Sequence, residues 1–256
     1  MLPIDGAAVL EIVVAAADDA SRRRRHGVTV VASTAEGPTT DADLHTQATL
    51  TSALLELAPY AAILAEEDRS LTPINWSAEQ LVWIIDPIDG TTNYVAGGKD
   101  WGVQVAAWTP RGLCGGWIVC PDAGWVLCAH DGSEMVIEAP PLKPAHNPDC
   151  LVAARGDWTE DHLQALEGRA LGSIRGTRSC AIDYAEFATR RVRALCYRRS
   201  YAWDHAPGIY IARRTGAVIS RWDGRSYDPS IAGEGLLVTA DTADHTKVWD
   251  LLQPGP

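Results

Sequence analysis

Trp83-Ile84-Ile85-Asp86-Pro87-Ile88-Asp89-Gly90-Thr91-Thr92 is the stretch on which the reading of this chain turns. The apolar run from Leu81 to Ile85 reads as a buried strand, and it ends abruptly in acid. Asp86 and Asp89 emerge three positions apart at that strand end. Pro87 restricts the backbone between them, and Gly90 permits an unusual turn. Gly90 and Thr91 can then present backbone amides at the start of a helix. The result is carboxylates suited to a hard cation beside donors suited to phosphate oxygens. The Thr91 hydroxyl is placed to orient water. Two carboxylates this close repel each other unless a cation lies between them. Asp-x-x-Asp alone is usually a solvated loop; the strand end before it and the Gly-Thr-Thr after it raise its value.

Outward from this motif, the N-terminal side predicts a helix over 7–20, with Leu10, Val13, Val14 and Ala17 on one face. The basic run Arg22 to Arg25 reads as a solvated helix end, where cations suit the helix dipole. A short strand at Val28 to Val31 is ended by turn-rich Glu36-Gly37-Pro38. A second helix spans 42–58, stopped by Pro59, with Asp41 as the expected cap. Ile63 to Ala65 is a strand running into Glu66-Glu67-Asp68. On the other side, 101–108, 113–119, 125–129 and 135–138 read as successive antiparallel strands. The segment 140–149, with Pro140, Pro141, Pro144 and Pro148, is the expected lobe boundary. Beyond it the pattern alternates: strand 151–154, helix 159–168, strand 171–174, helix 179–190, strand 195–197, helix 204–215. Pro207 is expected in the first turn of that last helix, where a missing amide costs little. Strands at 218–219 and 236–239 close the series.

The chain has 256 residues, enough to bury a core without disulfide or metal support. With 22 Lys and Arg against 33 Asp and Glu, its net charge of -11 excludes a nucleic-acid binder acting by bulk electrostatics. It equally disfavours adhesion to an anionic membrane. The order of charge and apolar residues at the N-terminus is the reverse of a secretory signal, so a cytoplasmic protein is expected. Six scattered cysteines without a CxxC pair read as buried free thiols. No phosphate loop of the Gly-x-x-x-x-Gly-Lys kind, His-Glu-x-x-His motif or dinucleotide fingerprint occurs.

The motif around Asp86 resembles the signature of the inositol monophosphatase-like superfamily of magnesium-dependent, lithium-sensitive phosphatases. Three further segments are similar to that family: Glu66-Glu67, 20 residues before Asp86; Gly37-Pro38-Thr39-Thr40-Asp41-Ala42-Asp43; and Trp203-Asp204-His205-Ala206-Pro207-Gly208. The resemblance runs from about residue 7 to 240. It implies an α/β fold, a layered α-β-α-β-α sandwich. The N-terminal α+β lobe, 1–140, would carry the antiparallel sheet and most metal ligands, and a C-terminal α/β lobe, 141–256, would complete the site. It implies two or three Mg2+ ions: Glu66, Asp86 and the Ile88 carbonyl on the first, and Asp86, Asp89 and Asp204 on the second. Asp43 matches a residue near a third ion that Glu66 helps to hold. Thr91 and Glu66 match the pair that activates the attacking water. Asp89, Gly90 and Thr91 would surround the phosphate, which is attacked in line by metal-activated water without a phospho-enzyme. A homodimer acting on a small phosphorylated metabolite is implied as well.

The chain departs from that pattern where the leaving group would sit. Tyr197 stands seven residues before Asp204, where inositol monophosphatases have a glutamate for inositol hydroxyls. Arg198 and Arg199 follow it, open either to solvent or to a second phosphate or carboxylate on the substrate. Arg178 stands at a usual glycine position beside Ser179 and Cys180, in a segment that lines the family's substrate pocket. Ser179 and Asp183 either contact substrate or order the helix. Asp204 as a mere helix cap, and Asp43 as a mere first-turn acid, are the plain alternatives to ligation. The expected activity is magnesium-dependent hydrolysis of a small phosphate monoester. The alternatives are a 3'(2'),5'-bisphosphate nucleotidase and a catalytically weak metal- or phosphate-binding regulatory protein.

Overall fold

The computed structural model describes residues 5–34, 37–68, 74–141, 151–153, 174–231 and 234–252. Helix α1 (Gly6–His26) leads through a hairpin, β1 (Val30–Thr34) and β2 (Gly37–Thr40), into α2 (Asp41–Leu57). Then come β3 (Ala62–Ala65), one tight helical turn at Glu66–Asp68, β4 (Val82–Asp89) and the short α3 (Thr91–Val95). A meander follows in β5 (Gly102–Thr109), β6 (Gly112–Cys120), β7 (Trp125–His130) and β8 (Val136–Glu138). The chain continues through β9 (Leu151–Ala153), β10 (Ile174–Arg175), α4 (Cys180–Ala188) and β11 (Ala194–Arg199). It ends with α5 (Ala202–Arg214), β12 (Val218–Arg221), β13 (Glu234–Thr239) and α6 (Thr242–Leu252).

Strands β3 to β8 form a six-stranded sheet in sequence order, parallel only between β3 and β4. A five-stranded sheet has the order β10-β9-β11-β13-β12, with β9 parallel to both of its neighbours. Alternation along β4 divides the apolar core in two. Trp83 and Ile85 face Val9, Val13, Leu50 and Leu54 of α1 and α2. Val82 and Ile84 face the other way, into a core shared with Tyr184, Ile209, Leu236 and Val238. Helices α4 and α5 therefore lie between the two sheets, and α6 packs on β13. This is the expected α-β-α-β-α sandwich. A strand covered on both faces must be apolar throughout, which is why Leu81 to Ile85 shows no polar alternation. Among the described residues no helix is long and apolar enough to cross a membrane.

Several boundaries differ from the sequence expectation for identifiable reasons. Gly37–Thr40 is not merely a turn but the second strand of a hairpin with β1. Thr40, not Asp41, caps α2: its hydroxyl accepts from the Ala42 and Asp43 amides while Asp43 reaches back to the Thr40 amide. Helix α5 starts at Ala202, with Tyr201 as its cap residue, so Asp204 is no cap and Pro207 lies beyond the first turn. Proline there leaves one helix carbonyl without its amide partner. Gly116 allows the chain to be there at all, because a Cβ on it would stand 2.4 Å from the Pro207 carbonyl oxygen. Helix α1 runs on through His26, and Arg24 is not solvated. It pairs with Asp122, bonds the Gly98 carbonyl and lies over the rings of Tyr94 and Trp101. The C-terminal α6 was not anticipated. The expected helix at 159–168, most of the strand at 171–174 and nearly all of the 140–149 boundary lie outside the described residues. Five of the cysteines are free thiols, four of them buried; Cys150 lies outside the described residues.

Candidate active site

The site begins with an irregularity in β4. In a regular strand, residues three apart point to opposite faces. Asp86 pairs with Gln104 and Asp89 with Gly102, so three steps along β4 match two along β5. This bulge turns both carboxylates to the same side, and Pro87, with no amide to pair, sits within it. Gly90 follows with φ +83°, and a Cβ there would meet the Asp100 carbonyl oxygen at 2.9 Å. Its freedom lets the chain turn directly into α3.

Asp86, Asp89 and Asp204 offer carboxylate oxygens that all lie within 4.8 Å of one another. They line a cavity of about 610 Å³ together with Glu66, Ile88, Gly90, Thr91, Arg178, Ser179, Cys180, Tyr197 and Arg199. The structure thus brings together nearly every candidate named from the sequence. Asp43 lies behind the wall: its Oδ1 accepts from the Thr91 hydroxyl at 3.2 Å, and that hydroxyl also reaches the Ile88 carbonyl at 2.8 Å. Arg198 is not among the lining residues.

Both oxygens of Asp86 are buried and have no hydrogen-bond partner. An orphaned buried carboxylate is costly, and burial together with Glu66, Asp89 and Asp204 pushes its proton affinity well above the usual range. A divalent cation removes that cost, and an all-oxygen donor set suits magnesium. Asp89 is held differently. It accepts from the Ser179 hydroxyl, the Cys180 amide at 3.1 Å and the Ala181 amide at 2.8 Å. Burial raises it to about 6 against the opposing pull of those donors. Asp43 is likewise raised to about 6 by burial, opposed by its bonds to Thr40.

Elsewhere in the cavity wall, Tyr197 is buried and donates its hydroxyl to Asp183 at 3.1 Å. Asp183 also accepts from the Thr177 hydroxyl at 2.8 Å, and burial raises it to about 7. Tyr201 and Trp203 stack with ring centroids 5.2 Å apart and line the same cavity. Sequence reasoning missed Gln104, fully buried on β5 across from Asp86, whose amide reaches toward the Asp204 carbonyl at 3.5 Å. The signal was available: a lone polar residue in the apolar run Gly102 to Trp108.

The sequence model of the inositol monophosphatase family matches residues 4–253. The chain belongs to this family. It is 29% identical over 230 residues to the inositol-1-monophosphatase of Mycobacterium leprae, covering 84% of this chain and 77% of that protein. It is 27% identical over 197 residues to that of Bacillus subtilis, covering 73% and 74%. A staphylococcal inositol monophosphatase, solved as a lithium chloride inhibitory complex, superposes with a TM-score of 0.81 at 19% identity, covering 94% of this chain and 92% of that one. That likeness shows the fold. Inositol monophosphatase family membership and the convergent carboxylates together support magnesium-dependent phosphate monoester hydrolysis as the chemistry of this site.

Proposed function

We propose that this chain hydrolyses a small phosphate monoester, with Glu66, Asp86, the Ile88 carbonyl, Asp89 and Asp204 holding two or three magnesium ions. The observation that carries the reading is Asp86, buried with both oxygens unpartnered amid convergent carboxylates. Bound magnesium supplies Lewis acidity, which acidifies water and neutralises charge on phosphoryl oxygens. The chain's own residues do the rest. The Thr91 hydroxyl proton is held by Ile88 and Asp43, leaving its oxygen lone pairs to accept a hydrogen bond from the attacking water and orient it. Asp43 acts through Thr91 as a positioning residue. Glu66, on the cavity wall, accepts the proton of the attacking water. Amides of Gly90 and Thr91 hold the phosphate beside Asp89. Ser179 and the α4 amides keep the Asp89 carboxylate in place.

A second reading, a 3'(2'),5'-bisphosphate nucleotidase, is favoured by one observation: Arg178 and Arg199 line the cavity, while Tyr197 offers a phenol already committed to Asp183. Cations on that side suit a leaving group with its own phosphate or carboxylate. A division into lobes at 140/141 goes with either reading; the strands of the six-stranded sheet precede it and those of the five-stranded sheet follow. So does a cytoplasmic homodimer with no nucleic-acid polymer or membrane as partner, which sedimentation at several concentrations tests for its oligomeric part.

The experiment is a broad panel of phosphate esters with and without magnesium, run on the parent, Asp89→Asn and Asp204→Asn. Magnesium-dependent turnover that collapses in both variants is expected. Equal turnover in the variants removes the metal assignment. No turnover by the parent on any ester favours the regulatory binding protein.

A further inference from the structure

The cavity holds a second donor set that shares Asp204 with the proposed magnesium ligands and adds two groups, Cys180 and His205, that the phosphatase chemistry leaves unused. Cys180 opens α4, and Asp204 and His205 are neighbours in the first turn and a half of α5. One donor atom from each lies within 4.8 Å of the other two, and all three residues line the cavity. This set is chemically unlike Asp86, Asp89 and Asp204. Sulfur and imidazole nitrogen are poor ligands for magnesium and good ones for zinc, cobalt and cadmium.

The imidazole is already arranged as a ligand would be. Nε2 of His205 lies 3.2 Å from the Arg199 carbonyl, which can only accept, so Nε2 carries the proton. Nδ1 therefore bears the lone pair, and it receives the Tyr184 hydroxyl at 3.2 Å. Tyr184 is four residues after Cys180 on the same face of α4. A ring N–H anchored on a backbone carbonyl fixes tautomer and orientation, as metal-binding histidines require.

We propose that Cys180, Asp204 and His205 form a site for a borderline or soft divalent cation such as zinc, and that filling it withdraws Asp204 from the magnesium ligands. Three protein ligands leave a fourth position open to the cavity, as in zinc sites that keep solvent access. Binding breaks the Cys180 S–H bond: the proton goes to solvent, the sulfur electron pair goes to the metal, and nothing is oxidised or reduced. The Tyr184 hydroxyl gives up Nδ1 in exchange. One carboxylate cannot serve both sets at once, so zinc and magnesium compete through Asp204. The binding claim stands by itself; the inhibition rests on the proposed phosphatase activity.

Two measurements read the site without substrate. Cobalt(II) added to the full chain is expected to give a thiolate-to-cobalt charge-transfer absorption in the parent, absent in Cys180→Ser. Zinc, but not magnesium, is expected to protect Cys180 of the unmutated protein from alkylation, read by peptide mass spectrometry. A third measures the zinc concentration that halves turnover, each protein scaled to its own uninhibited rate; it is expected to rise about tenfold or more in Cys180→Ser. An unchanged cobalt band in Cys180→Ser, or alkylation of Cys180 at its metal-free rate under zinc, overturns the site. A band that is lost together with undiminished zinc inhibition overturns the competition for Asp204. A preparation without phosphatase activity still answers the first two measurements, so the site and the catalytic reading fail separately.

Discussion

The Ser179 hydroxyl donates to Asp89, so the cap of α4 and a cavity-lining carboxylate of β4 share one hydrogen bond across 90 residues of sequence. The same hydroxyl accepts from the Ile182 amide, closing the first turn of α4. A helix cap and a ligand holder are thus one group. Ser179→Ala is expected to cost about 1 kcal/mol of stability, the usual value of a cap. It also frees Asp89 to move and lets its proton affinity climb further. The magnesium concentration for half-maximal activity should rise, which a metal titration of turnover beside urea denaturation will show. A stability loss with unchanged magnesium dependence would leave Ser179 a cap only.

The metal-free protein should be most stable in mild acid. Burial raises Asp43 and Asp89 to about 6 and Asp183 to about 7, and raises Asp86 well above the usual range. An unfolded Asp releases its proton near 4, so between about pH 4 and 7 the folded chain binds more protons than the unfolded one. Stability therefore falls as pH rises through that window. Melting with a chelator present should show Tm decreasing from about pH 5 to pH 8. Magnesium should raise Tm more at the upper end, where the carboxylates are already ionised. A flat chelated profile would contradict the burial of these acids.

Asp86→Asn separates function from stability. The amide removes a buried charge surrounded by Glu66, Asp89 and Asp204. Without metal the variant should melt above the parent near neutral pH, gaining on the order of 1–3 kcal/mol. It should also lose its magnesium-dependent Tm shift and its turnover. Calorimetry with and without magnesium checks both halves.

Gly90 tolerates no side chain. Its φ of +83° and the Asp100 carbonyl at 2.9 Å from an added Cβ predict a loss of about 1–3 kcal/mol for Gly90→Ala, with activity falling alongside. Gly97 also has positive φ but open space around it, so Gly97→Ala should cost less and leave turnover nearly intact. Denaturant unfolding of the two variants makes the comparison.

Arg178 should discriminate among substrates. It lines the cavity at φ +61°, an uncommon conformation for a residue with a side chain. Arg178→Gly relieves the backbone and removes the cation. KM is expected to rise about tenfold for esters carrying a second anionic group and to change little for neutral leaving groups. Equal effects on both classes would assign Arg178 to the backbone turn alone.

Much of this molecule was legible in the chain. The apolar run into Asp86 gave a doubly covered strand, because burial on both faces leaves no room for polar alternation. Glu66, Asp86, Asp89, Thr91 and Asp204 could be named as a set because the motifs holding them lie at strand ends and near helix starts, where side chains converge on a cleft. Arg24 was misread, because its partners Asp122, Tyr94 and Trp101 come from distant segments that no local pattern connects. The cap of α2 was misplaced by one residue, since Thr40 and Asp41 are both good caps and only backbone conformation chooses between them.

The sequence by itself determined which residue types are available: acids at strand ends, a glycine where φ must be positive, and apolar runs of the lengths that build two sheets. Those properties are local, set by sterics and burial within a few residues. Only the tertiary structure decided which groups share a hydrogen bond or a charge. It aimed Asp86 and Asp89 to one side through a bulge, put Ser179 on Asp89, left Asp86 without a donor, and set Cys180 beside Asp204 and His205. Hydrogen bonds and metal ligation act over a few ångströms whatever the sequence separation, so the fold has to bring these groups together before their chemistry exists.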